Sequence, residues 1–283
     1  VLNQEQRATQ RDIIADLCVS HDFDAEQEII RRATFLADYL VSTGLRALVL
    51  GISGGVDSLV GGCLCQLAVG QARQRGHDSR FIAMRLPYGV QADEAEAQAS
   101  LAVIQPDEVS TVDIKPASDA MLQSLLQASV PFKDAAQQDF LLGNIKARQR
   151  MIAQYAVAGA HSGLVVGTDH AAEALMGFYT KFGDGAADVT PLTGLTKRRV
   201  RALGHSFGAP DNLVLKVPTA DLESLTPQKP DEASFGVTYE QIDDFLEGKD
   251  IDPKAYAIIV RTYTLSQHKR ALPLYPQAAL LAN

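Results

Sequence analysis

Apolar positions along the chain follow two alternating rhythms, and the alternation itself predicts a layered α/β fold. Ile29, Ile30, Ala33, Leu36 and Leu40 make a stripe of helical period over residues 25–42. Asp24 stands where such a helix needs a cap, with Gln27 in the capping-box position, and Gly44 lies just past its end. An unbroken apolar run from Ala47 to Ile52 then reads as a buried strand. After a short polar break comes a helix over 57–75, with Leu59, Val60, Cys63, Leu64 and Leu67 turned to the core. Phe81 to Leu86 is a second strand stopped by Pro87. An alanine-rich helix over 92–104 ends before Pro106, and Val109 to Ile114 is a third strand. Helices over 116–128 and 137–159 precede a short fourth strand, Gly163 to Gly167, and Thr238 opens a helix carrying Ile242, Phe245 and Leu246.

Strands that alternate with helices and lack polar alternation argue for a doubly wound parallel sheet flanked by helices, an α/β fold. Ligands of such sheets bind beyond the carboxyl ends of the strands, where the chemically suggestive stretches of this chain begin. The sequence shows no internal repeat or low-complexity tract. Residues 1–283 read as a single domain with a helical N-terminal segment over about 1–45. The stretch 205–233 holds Gly208, Pro210, Pro218, Pro227 and Pro230 among polar residues and reads as a long irregular loop, in this setting a lid.

Composition narrows the ligand. The 283 residues carry a formal net charge of −8, whereas a chain that grips long nucleic acid shows a basic face, because phosphate contacts supply most of that affinity. A small anionic ligand held by local cations fits better. Cys18, Cys63 and Cys65 form no metal-binding or redox pair and read as small core residues of a reducing compartment. With no long apolar run and no signal-peptide core, the expectation is a cytoplasmic protein with no membrane partner.

The polar break after the first strand carries the chemistry. It lies within LVLGISGGVDSLVGG, Leu48 to Gly62. Small residues between a strand and a helix aim backbone N–H groups at one point, and the helix N-terminus adds partial positive charge there; a phosphate suits both. The loop lacks the lysine of a Walker A motif, so a kinase-type or GTPase-type reading fails. Ser53-Gly54-Gly55-Val56-Asp57-Ser58 instead matches the SGGxDS signature of the ATP pyrophosphatases, which cut ATP between its α and β phosphates. Gly54 and Gly55 let the backbone approach the leaving pyrophosphate, and Ser53 and Ser58 offer it hydroxyls. A carboxylate such as Asp57 beside a triphosphate calls for Mg²⁺ between them.

Six further stretches follow in order: RLPYGVQADE (Arg85 to Glu94), GNIKARQRM (Gly143 to Met151), GTDHAAEALMGFYTKFGDGAADVTPL (Gly167 to Leu192), LTKRRV (Leu195 to Val200), PTADLE (Pro218 to Glu223) and HKR (His268 to Arg270). Together with the loop they closely resemble the ammonia-dependent NAD synthetases, within the adenine nucleotide α-hydrolase-like class of folds, over about residues 24–270. The resemblance implies ATP-dependent amidation of deamido-NAD (nicotinic acid adenine dinucleotide) through an acyl-adenylate. It places ATP on Gly51, Ile52, Ser53, Gly54, Gly55, Val56, Asp57, Ser58, Arg85, Gln91, Thr168, Lys197 and Thr219. It places Mg²⁺ on Asp57 and Glu173, and assigns the chemistry to Ser53, Asp57 and Glu173. Deamido-NAD falls on Arg148, Lys181, Asp188, His268 and Lys269, with Asn144, Phe178 and Tyr39 as secondary candidates. The family works as a homodimer with deamido-NAD across the subunit boundary, and the apolar helix over 137–159 could supply the contact.

Plainer readings stand beside these. On the residues alone, Arg148 sits with Lys146 and Arg150 on what reads as a solvated basic helix face, and Lys197 opens a helix that reads as basic and exposed. His170 reads as a core or capping histidine and is assigned no chemistry. Two other functions share the loop: an RNA thiolation enzyme, which would want paired reactive cysteines and a basic surface, and a non-catalytic nucleotide-binding module, which would have no use for Glu173, Lys181 and Asp188. Only about 45 residues precede the loop, so the nitrogen donor is expected to be free ammonia rather than glutamine. The family usually runs from HKR directly into proline, whereas here Ala271 and Leu272 intervene before Pro273.

Overall fold

Four short strands, β1 (Ala47–Gly51), β2 (Arg80–Arg85), β3 (Glu108–Thr111) and β4 (Gly163–Val165), lie side by side in the order β3-β2-β1-β4, every pairing parallel. The computed structural model describes residues 2–90, 93–219 and 222–273. β1 and β2 are apolar on both faces because helices cover both. On one face α2 (Ala25–Thr43), α3 (Val56–Gln74) and α8 (Lys197–Ser206) pack Leu36, Leu40, Leu59, Leu64, Val200 and Leu203 against Leu48 and Leu50. On the other, Val49, Ile82, Met84 and Val165 meet Ala158 of α6 (Ala135–Ala160) and Ile114. The chain winds outward from β1 through β2 to β3, then returns to the opposite side of β1 for β4. The winding thus reverses between β1 and β4, and a crevice opens at their carboxyl ends.

Local signals set the helix ends. Asp24 accepts the Gln27 N–H at 2.9 Å, and Gly44 closes α2 in the left-handed region at φ 70°. Thr238 caps α11 (Tyr239–Leu246) with a complete capping box to Gln241. A second apolar cluster gathers α1 (Gln4–Asp16), α7 (Ala171–Met176), α11 and α12 (Pro253–Leu265) around Ile13, Leu175, Phe245 and Ile259.

The structure departs from the sequence expectations at several points. β3 ends at Thr111 rather than Ile114 and leaves Val109 exposed. It is an edge strand with one neighbour, so only the sheet side of it is covered. Leu67 is exposed, because the buried side of α3 runs through Gly61, Gly62 and Cys65 instead. A Cβ on Gly62 would stand 2.6 Å from Ile104 Cδ1, so α4 (Glu94–Ile104) packs directly on that bare backbone. Cys63 and Cys65 are core residues as expected, but Cys18 is exposed. The 205–233 stretch is not wholly irregular: α9 (Asp211–Val214) puts Leu213 and Val214 into the main core, and α10 (Asp231–Phe235) begins within it. The chain beyond Pro273 lies outside the described residues.

Candidate active site

The crevice at the switch point holds a cavity of about 410 Å³, within the range of small-molecule sites. Its floor is the loop between β1 and α3. Ser53 N–H donates to Ser58 Oγ at 3.2 Å, Ser58 Oγ donates to Gly55 O at 3.0 Å, and Gly55 N–H donates to Ser53 Oγ at 3.3 Å. The two serines thus tie the loop into a closed ring. Gly54 sits at φ 89°, and a Cβ there would stand 2.9 Å from Ala97 N, so glycine is needed for both conformation and space. No side chain caps the N-terminus of α3, which leaves its first N–H groups free for an anion.

A buried charge centre adjoins the loop. Lys197, the first residue of α8, is 1% exposed, and its Nζ stands 2.7 Å from Asp57 Oδ2. The expectation of an exposed basic helix start is therefore overturned. Thr196 caps α8, and Asp243 accepts the Lys197 and Arg198 N–H groups at 3.0 and 2.7 Å, which turns the lysine inward. Burial, the largest single influence, pushes the Asp57 carboxyl up, but the Lys197 charge and hydrogen bond together with His170 and Arg201 outweigh it and hold Asp57 below the usual carboxylate range. Burial likewise works against the charge on Lys197, and Asp57 and Glu173 reverse that and hold it above its ordinary value.

Glu173 lies in the first turn of α7, near Asp57. Burial, then the neighbouring Asp57 charge, pushes its carboxyl well above the usual range. His170 Nε2 lies 3.5 Å from both Asp57 Oδ1 and Glu173 Oε2, and burial drives this imidazole down to about 3. Asp57, His170 and Glu173 each bring a ligand atom within 4.8 Å of the others. Asp57 Oδ1 is buried without a hydrogen-bond partner in the described structure. The Tyr239 ring lies 5.1 Å from Lys197 Nζ, and its hydroxyl donates to Asp231 Oδ2 at 3.0 Å.

Two further carboxylates, Asp169 and Asp184, act on Glu173. Asp184, exposed at the cavity wall, accepts the Thr180 N–H at 3.0 Å. Asp169 is pushed up to about 7 by burial and then by Asp184 and Asp57. Lys269 faces both, with Nζ donating to Gly177 O and Tyr179 O at 2.8 Å each. Sequence reasoning singled out neither aspartate and gave His170 no part. The available signal was a carboxylate between two glycines, Gly183-Asp184-Gly185, inside a stretch already marked as informative.

The structure brings most of the predicted nucleotide contacts together. Gly51, Ile52, Ser53, Gly55, Val56, Asp57, Ser58, Arg85, Thr168, Glu173, Lys197 and Thr219 line the cavity, as do Lys269, Asn144 and Phe178. Gly54 supports the loop from behind, against Ala97, and Gln91 lies outside the described residues. Arg85 is buried at the end of β2, donating to Ile52 O and, at 2.7 Å, to Glu94 Oε2. Five further candidates do not line the cavity. Arg148 donates to Lys181 O at 3.2 Å and Lys181 Nζ donates to His268 O, so these three form one exposed group. Asp188 accepts the Val165 N–H at 2.7 Å beside the end of β4. Tyr39 lies on α2, stacked on Phe35 with ring centres 6.5 Å apart.

Residues 28–273 match the NAD synthase family. An NH(3)-dependent NAD(+) synthetase of Streptomyces coelicolor is 67% identical over 269 residues, covering 95% of this chain and 98% of that protein. Among solved structures, NAD+ synthetase from Burkholderia pseudomallei superposes with a TM-score of 0.84 at 60% identity, over 96% of this chain and 99% of that one. The NMN synthetase of Francisella tularensis superposes with a TM-score of 0.79 at 35% identity, over 91% of this chain and all 100% of that one.

Proposed function

The chain belongs to the NAD synthase family, and on that premise we propose that it amidates deamido-NAD to NAD with ammonia while ATP is cleaved to AMP and pyrophosphate. One observation carries the reading: the serine-closed loop, Asp57, Lys197 and Glu173 converge on the cavity at the switch point. A carboxylate is a poor electrophile because its leaving group would be oxide. Attack of the nicotinate oxygen on the α-phosphorus of ATP breaks the bond to the β-phosphate and makes an acyl-adenylate. Ammonia then adds to the acyl carbon, AMP leaves with the C–O electrons, and the surplus proton goes to a base.

In the first step the loop N–H groups and the Ser53 and Ser58 hydroxyls hold the departing pyrophosphate, and Lys197 neutralises charge as it develops there. Arg85, Thr168 and Thr219 place the nucleotide around them. The donor set suits Mg²⁺: Asp57 Oδ1 has no partner among the described residues, and the Glu173 carboxylate shares its space with that charge. Asp57 and Glu173 would hold the ion, which when bound draws charge from the phosphate oxygens. His170, kept neutral by burial, lies 3.5 Å from each of the two carboxylates. For the second step the Asp169 and Asp184 carboxylates, which act on Glu173, suit an ammonium ion and a proton acceptor.

Deamido-NAD has a charged group at the exposed Arg148, Lys181 and His268, with Lys269 connecting it to the cavity and Asp188 beside β4. Exposed Phe140, Leu141 and Ile152 on α6, and Phe182, lie on the same elements. They support a homodimer with this substrate at the subunit boundary. RNA thiolation fits less well, because burial pushes the Cys63 thiol up to about 12 and the Cys65 thiol higher still. The test is turnover with ATP, Mg²⁺ and deamido-NAD, comparing ammonium with glutamine and following NAD, AMP and pyrophosphate. NAD formed with ammonium alone supports the reading; pyrophosphate release indifferent to deamido-NAD refutes it.

A further inference from the structure

Asp139, Gly143, Lys146, Arg150 and Gln154 fall at spacings of three and four along α6 and so share one face of the helix. That face touches three separate stretches of chain around the cavity. Asp139 accepts the N–H groups of Ser224 and Leu225 at 3.0 and 2.7 Å. Gly143 leaves room for Leu222, whose Cβ would stand 3.1 Å from a Cβ placed there. Lys146 Nζ donates to Leu222 O and to Ser224 Oγ, each at 2.9 Å, and stands 4.2 Å from the centre of the Tyr88 ring. Arg150 Nε donates to Leu86 O at 3.0 Å, and Gln154 Oε1 accepts the Gly51 N–H at 2.9 Å.

Lys146 is only 4% exposed, so the solvated basic face expected from its neighbours in sequence is not where it lies. An ammonium taken out of water needs strong compensation, and here a carbonyl, a hydroxyl and an aromatic face provide it. These partners belong to two different stretches. Leu222, Glu223 and Thr226 line one wall of the cavity, while Leu86, two residues before Tyr88, lines another. Tyr88 is itself fixed, its hydroxyl donating to Asp119 of α5 (Lys115–Gln127).

We infer that Lys146 is a positioning residue that ties the 86–90 loop to the 222–226 segment, so that the two walls of the cavity take their places together. The inference deepens the amide-forming reading and rests on it for its consequence: water must be kept from the acyl-adenylate until ammonia arrives. Lys146 touches no reacting atom; it acts through the two stretches it joins.

Hydrogen exchange on the full chain, read alongside product stoichiometry, tests this. In Lys146→Met, amides of both 86–90 and 222–226 exchange about tenfold faster or more, as expected for lost hydrogen bonds of ordinary strength, while β1 and α3 keep their protection. Lys146→Arg, which retains the charge and the ring contact, restores both stretches. In the assay, AMP release outruns NAD formation in Lys146→Met, with kcat for NAD falling more than KM for ATP rises. Tyr88→Leu, which leaves Lys146 and its carbonyl partner in place, loosens 222–226 as well as its own loop and serves if the methionine variant does not fold. Acceleration confined to one stretch in each variant, or no difference between arginine and methionine, overturns the inference. An intact protein that makes no NAD would defeat the functional reading instead, and the exchange result would still decide the coupling.

Discussion

Lys197 Nζ and Asp57 Oδ2 stand 2.7 Å apart, each brought there by the first turn of a different helix. Their contact joins the start of α8 to the start of α3 across the cavity floor. A phosphate arriving at this point meets a lysine already committed to a carboxylate. The cation must therefore be shared between Asp57 and the ligand.

Removing that lysine should be severe. Lys197→Met leaves Asp57 and Glu173 buried without their counter-charge, and breaking a buried pair from one side costs about 3–5 kcal/mol. Urea unfolding should show a loss of that size, and pyrophosphate release should be abolished at any ATP concentration. A variant of undiminished stability would show that the pair contributes little to the fold.

Glu173→Gln should separate stability from activity. The folded-state value of Glu173 lies above the unfolded one, so its contribution to stability is present at low pH and lost as pH rises through the folded value. At neutral pH without divalent cations, the glutamine variant should therefore unfold at a higher temperature than the intact protein, while turnover falls to background. Magnesium reverses the ranking by stabilising the intact protein alone, by about 2.7 kcal/mol at a hundredfold excess over its dissociation constant. Equal responses of the two proteins to magnesium would remove Glu173 from the metal site.

His170 gives the pH dependence the opposite slope. Its folded value of about 3 lies below the ordinary 6.5, so the unfolded chain takes up a proton first as pH falls. Stability is full above the ordinary value and is lost progressively between the two. At pH 5 the loss from this group is about 2 kcal/mol relative to pH 7.5. Urea titrations at the two pH values should show that much less acid sensitivity in His170→Gln.

Gly54→Ala tests the loop against a matched control. Both Gly54 (φ 89°) and Gly76 (φ 80°) are left-handed, but a Cβ on Gly76 meets nothing within 4 Å, whereas one on Gly54 presses on Ala97 N. Each substitution carries about 1–2 kcal/mol of backbone strain. Only Gly54→Ala should also raise KM for ATP, because α4 and the ring of loop hydrogen bonds must shift.

What could be read from the sequence was what local pattern encodes. The stripe from Ile29 to Leu40, the caps at Asp24 and Thr238, and the apolar run of β1 placed elements to within a few residues. The SGGxDS stretch placed the loop between β1 and α3 at the cavity because strand, turn and helix are contiguous in sequence. Long-range packing was not legible in the same way. Lys146 and Lys197 look like surface cations in their own segments, and only the approach of 222–225 and of Asp57 from remote positions buries them. Leu67 failed for the same reason: Gly62, not the leucine, receives α4. Arg148, Lys181 and His268 were assigned together and do stand together, yet away from the cavity of a single chain.

Asp57 and Glu173 belong to different apolar clusters. Asp57 rides on α3, whose buried side is part of the sheet core, whereas α7 turns Ala171, Ala172, Leu175 and Met176 into the cluster built with α11 and α12. The sheet and the loop between β1 and α3 all precede Tyr239 in the chain. Up to that point the helix of Glu173 has only part of its support, because α11 and α12 complete the cluster that α1 begins. The two carboxylates are thus held by separate cores, and the place of the second depends on helices close to the end of the described chain.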